Sequence, residues 1–67
     1  MEKGTVLWFN NTKGFGFIKP EAGSGDVFVH INEVERAGLD KLTDGQSIGY
    51  EIENNNGKKA AIKLQLL

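Results

Sequence analysis

An all-β chain of five short strands closed, or nearly closed, into a barrel is the fold class this sequence predicts, and three observations predict it. Nine glycines and one proline cut the 67 residues into short segments at places where turns are needed. Within most segments the apolar residues alternate with a period of two, as on a pleated strand. Helical spacing is confined to one stretch of about two turns. Closure follows because an open sheet this small would present unpaired edges.

The elements can be justified in chain order. Gly4 to Asn10 is rich in β-formers and is followed by Asn10-Asn11-Thr12-Lys13-Gly14, a turn composition ending in a glycine suited to positive φ. Gly14 to Lys19 alternates, with Lys13, Phe15, Phe17 and Lys19 on one side and Gly14, Gly16 and Ile18 on the other, and ends at Pro20. A loop at 21–25 leads into Asp26 to Ile31, where Val27, Val29 and Ile31 share one face and Asp26, Phe28 and His30 the other. Asn32 with Glu35 has the form of a helix N-cap and capping box, and Gly38 stops that helix or turn early. Gln46 to Glu53 places Ile48, Tyr50 and Ile52 on one face. The Asn54-Asn55-Asn56-Gly57 run predicts a type I′ hairpin, and Ile62, Leu64 and Leu66 then alternate against Lys63 and Gln65 in the last strand.

Composition narrows the function classes. One domain spanning 1–67 and one small core are expected, because chains of this size bury only about 60% of their unfolded surface. Eight Lys plus Arg against nine Asp plus Glu give a net charge of −1, which argues against a globally basic polyanion binder but leaves a local basic face open. Without cysteine, a disulfide staple and a thiolate zinc site are both excluded. No apolar run approaches the length of a membrane span or a signal-peptide core, so a cytoplasmic protein is expected.

If Ile18, Val27, Val29 and Ile31 face the core, parity puts Phe15, Phe17, Phe28 and His30 outside it, flanked by Lys13 and Lys19. Trp8 would extend this row, although its parity matches Val6, so exposing it requires a twist or bulge. Rings in a row beside lysines suit single-stranded nucleic acid, whose bases offer π faces and whose phosphates offer charge. The competing readings are rings packed under the 21–25 loop, a protein or dimer interface, and an oligosaccharide platform. His30 and Asp26 share a face but two ligands make no metal site, and no nucleophile–base pair stands near them, so neither a metal, a cofactor nor catalysis is expected. Gly14-Phe15-Gly16 starts like a dinucleotide fingerprint, but position 19 is Lys and no helix follows. The Lys58-Lys59-Lys63 group either edges the groove or balances charge, with Lys59 the member assigned to the groove.

Lys13-Gly14-Phe15-Gly16-Phe17-Ile18 and Val27-Phe28-Val29-His30-Ile31 closely resemble the paired ribonucleoprotein-type motifs of the bacterial cold-shock protein family. The resemblance extends to Gly4, Val6, Trp8-Phe9-Asn10, Asp26, Leu42, Gly45-Gln46, Gly57 and Ala60-Ala61, nearly the whole chain. It implies a five-stranded antiparallel OB-type β-barrel that binds single-stranded RNA and DNA, pyrimidine-rich stretches preferred, as an RNA chaperone. By the same resemblance Trp8, Phe15, Phe17, Phe28 and His30 would be the stacking residues, and Asn10, Lys13 and Asp26 a polar rim. Many members of that family carry lysines where this chain has Thr5 and Leu7, and often aromatics in place of Ile31 and Leu39. A monomer is expected, with strand exchange through the 36–45 segment as the alternative.

Overall fold

The computed structural model describes residues 2–22 and 25–67, so Gly23 and Ser24 of the expected 21–25 loop lie outside the described residues. The order is β1 (Glu2–Asn10), β2 (Phe15–Pro20), β3 (Val27–His30), α1 (Ile31–Arg36), β4 (Ser47–Asn55) and β5 (Lys58–Leu66). The strands form a closed barrel in the order β1-β2-β3-β5-β4, with β4 returning to β1. The expected OB-type barrel is therefore present. Four pairings are antiparallel and β3 meets β5 in parallel, through the single bridge Phe28 to Ala60. An odd number of strands cannot alternate direction all the way around a closed sheet, so one seam must be parallel.

The interior is aliphatic. Val6, Ile18, Val27, Val29, Val34, Ile48 and Tyr50 are fully buried, with Leu42, Ala61 and Leu64 nearly so, and among the described residues no charged side chain accompanies them. Parity is obeyed in β2 and β3, where Ile18, Val27 and Val29 face inward. Ile31 differs from expectation: it opens α1 and is half-buried against the core instead of ending a strand. The helix is capped by His30, not by Asn32 as the capping-box pattern suggested, because the chain turns helical one residue after β3 and His30 keeps extended angles (φ −102, ψ 150). Its end is a Schellman motif: Leu39 N–H donates to Val34 O at 3.0 Å and Gly38 N–H to Glu35 O at 2.9 Å. Gly38, at φ +80, supplies the left-handed turn.

Two bulges break the period of two. In β1 the register slips between Val6, opposite Ile18, and Trp8, opposite Phe17. This is the irregularity that parity required for Trp8. In β5 the slip accompanies Lys63 at φ +52, so Ala61 and Leu64, three apart, both face inward while Leu66 is half exposed. The expected Ile62-Leu64-Leu66 stripe is thus replaced by Ala61 and Leu64. The β4–β5 turn is as expected, with positive φ at both Asn56 and Gly57. Among the described residues no helix is long and apolar enough to cross a membrane.

Two substitutions test this packing. A Cβ on Gly16 would run into the Trp8 carbonyl oxygen and approach the Phe9 Cα at 2.8 Å, so Gly16 holds β2 tightly against β1 instead of lending it flexibility. Gly16→Ala is expected to cost about 1–3 kcal/mol in chemical denaturation. Tyr50 is buried and its hydroxyl has no partner among the described residues. Tyr50→Phe is expected to leave stability at neutral pH unchanged or raise it by up to about 1 kcal/mol. Desolvation, and secondarily the charge of Glu2, push the phenol above its usual value of 10.0. The folded state therefore keeps its proton longer than the unfolded chain, and that stabilisation is lost as pH rises above about 10. Denaturation at neutral and alkaline pH should show the advantage of Tyr50→Phe widening at the alkaline end.

Candidate nucleic-acid interface

The bulge in β1 sets two residues, Leu7 and Trp8, against one position of β2, and both are exposed, at 39% and 40%. Phe9 then returns to the core side. Cross-strand register supplies the rest: Phe17 lies opposite Trp8 on one side and Phe28 on the other, and Phe15 lies opposite His30. Five rings predicted from sequence therefore converge on one face of β1, β2 and β3.

The rings brace one another. Trp8 meets Phe15 and Phe17 with centroids 5.5 Å apart in both cases, at 69° and 59°. Phe15 stacks on Phe28 at 5.9 Å and 21°, and Phe17 stands edge-on to Phe28 at 5.9 Å. His30 continues the row from Phe28 at 6.3 Å. Each such pair contributes about 0.5–1.5 kcal/mol beyond area burial, so the rings are held in place before any ligand arrives. The phenylalanines are half-buried, while Trp8 and His30 are exposed.

The polar residues expected around this face separate into distinct roles. Lys13 is exposed in the turn before β2 and Lys19 near that strand's end. Asp26 and Lys59 line a cleft of about 730 Å³ floored by Phe17, Phe28 and Ala60. Lys58, left undecided by the sequence, lines it too. The signal for Lys58 was the hairpin register, which pairs it with Asn55 at the turn. Lys63 lies elsewhere, 3.9 Å from Glu51 in an exposed ion pair, so the three-lysine group divides. Asn10 is committed to the turn: its Oδ1 accepts the Lys13 N–H at 2.9 Å, while its backbone oxygen accepts the Gly14 N–H at 2.7 Å. Gly14, at φ +80, closes that turn, and its oxygen accepts the Ile31 N–H at 2.9 Å. Asn10→Ala is expected to lose about 1 kcal/mol of stability while Asn10→Asp, which keeps the acceptor, retains most of it, as read by Trp8 fluorescence during denaturation.

Comparison with known proteins agrees with this geometry. The model of the 'Cold-shock' DNA-binding domain matches residues 2–67. A probable cold shock protein of Sinorhizobium fredii is 61% identical over 67 residues, covering 97% of each chain. A cold shock protein of Rhizobium meliloti is 52% identical over the same length and coverage. A cold shock-like protein of Escherichia coli is 52% identical over 60 residues, covering 88% of this chain and 87% of its own. With a closed five-stranded barrel, an aromatic face bordered by lysines, and a family model matched over residues 2–67, the chain belongs to the family of cold-shock DNA-binding domains.

Proposed function

We propose that this protein binds single-stranded RNA and DNA without catalysing a reaction, and acts as an RNA chaperone. The observation that carries this reading is the spacing of the exposed rings, whose neighbouring centroids lie 5.5–6.4 Å apart. Bases within a duplex strand are about 3.4 Å apart and already stacked on each other. A strand must be unstacked and extended to place its bases on rings this far apart, so the platform accepts open strands and rejects paired ones.

Affinity would come mainly from stacking, at about 1–3 kcal/mol per base, on Trp8, Phe15, Phe17, Phe28 and His30. Lys13, Lys19, Lys58 and Lys59 would neutralise phosphates along the edges, with Asp26 and the Nδ2 end of the Asn10 amide as polar contacts. Pyrimidine-rich strands fit best by resemblance to the family. Binding only the open strand pulls a hairpin open by mass action, in proportion to ln(1 + [protein]/Kd), with no energy source.

The fluorescence of Trp8 should be quenched on titration with oligo-dT, and no quenching at about tens of micromolar protein would overturn the reading. Phe17→Ala and Phe28→Ala should each cost about 1–3 kcal/mol of binding. The slope of log affinity against log salt should be shallow, about −2 to −3 at about 0.7 per phosphate contact. Leu7→Lys, which adds a cation beside Trp8, should steepen that slope by about 0.7. A protein or oligosaccharide ligand on the same face would instead leave oligonucleotides unbound.

A further inference from the structure

His30 occupies a junction. It is the last residue of β3 and the N-cap of α1, and its ring is also the outermost of the platform. Its backbone is fixed on both sides, by pairing opposite Phe15 and by the Ile31 N–H bond to Gly14 O. The ring is fixed as well, because Nδ1 accepts the Asn32 N–H at 3.1 Å.

That bond determines where the ring proton sits. A backbone N–H can only donate, so Nδ1 must be the acceptor, and a neutral imidazole carries its single proton on the other nitrogen. We propose that the helix cap locks His30 in the Nε2–H tautomer, so that the exposed rim of the platform presents a fixed hydrogen-bond donor to an oxygen acceptor of the bound strand. The acceptor is a base carbonyl or a phosphate oxygen. This rests on the single-strand reading above and adds to it a directed polar contact, which the four other rings supply only at Trp8 Nε1. Because the donor is neutral, its contribution is insensitive to salt, unlike that of the lysines. The residue acts as a specificity determinant whose aim is set by a bond on the opposite side of its own ring.

The test uses the full chain. A long-range ¹H–¹⁵N correlation spectrum of the ring should show the proton on Nε2 and an unprotonated Nδ1; a proton on Nδ1 would overturn the proposal. Affinities of the wild type and His30→Phe are then measured for oligo-dT and for two singly altered series. One replaces a thymine by difluorotoluene, which keeps the shape and removes the carbonyl acceptors. The other replaces a phosphate by a methylphosphonate. At one position the wild type should lose about two- to tenfold, the worth of one neutral hydrogen bond, and His30→Phe should lose nothing further there. The series that shows this coupling identifies the acceptor. Equal losses in both proteins at every position would overturn this inference alone, whereas strands that bind neither protein would overturn the single-strand reading with it. His30→Asn keeps an acceptor for the Asn32 N–H and lacks the ring, so it should retain the stability that His30→Phe gives up while losing affinity; equal stability of the two variants would show that the cap does not hold the ring.

Discussion

The close approach of β1 and β2 at Gly16 is the constraint on which the rest of this molecule depends. Alternation alone would send Trp8 into the barrel behind Val6 and leave Phe9 outside. One extra residue at the Leu7–Trp8 bulge reverses that order, and it fits only because no side chain at Gly16 obstructs the Trp8 carbonyl and the Phe9 backbone. From that point the outward positions of β1, β2 and β3 fall into register, with Trp8, Phe17 and Phe28 abreast. The platform is therefore a product of backbone fit as much as of aromatic content.

A second consequence concerns how the face tolerates water. Large apolar groups on the outside of a small protein invite association. Here the rings cover part of one another's surface, leaving the phenylalanines only half-exposed, with lysines at the margins. The negative net charge of −1 is an average that hides this arrangement. Glu33 pairs with Arg36 within α1 at 3.6 Å and Glu51 on β4 with Lys63 on β5 at 3.9 Å, while Lys58 and Lys59 border the cleft next to Phe17 and Phe28.

Most of the fold and the ring positions were legible from local rules, because side-chain direction in a strand is set by the neighbouring residue. Phe15, Phe17, Phe28 and His30 follow from the inward demand of Ile18, Val27 and Val29, and the Asn56-Gly57 turn follows from its tolerance of positive φ. What escaped was decided by contacts between distant segments. Asn32 looks like a cap, yet His30 takes that place because the strand ends where Ile31 bonds to Gly14 O. Lys63 looks like a member of a lysine cluster, yet the bulge it creates turns it toward Glu51. The parallel seam between Phe28 and Ala60 has no local signature at all, being imposed by closing an odd number of strands.

That seam divides the barrel into unequal parts. All five rings lie within residues 8–30, on three strands that follow one another along the chain and pair as successive hairpins. Such pairings have low sequence separation and form without a large loop-closure cost. The β4–β5 hairpin contributes much of the interior through Ile48, Tyr50, Ala61 and Leu64, and it docks across long separations on both sides, at β1 and at the Phe28–Ala60 bridge. The chain thus draws its ring platform from its first half, while its second half consolidates the barrel and adds Lys58 and Lys59 at the cleft. Sequence change in the β4–β5 hairpin away from Lys58 and Lys59 alters how firmly the aromatic meander is held without altering which rings it presents.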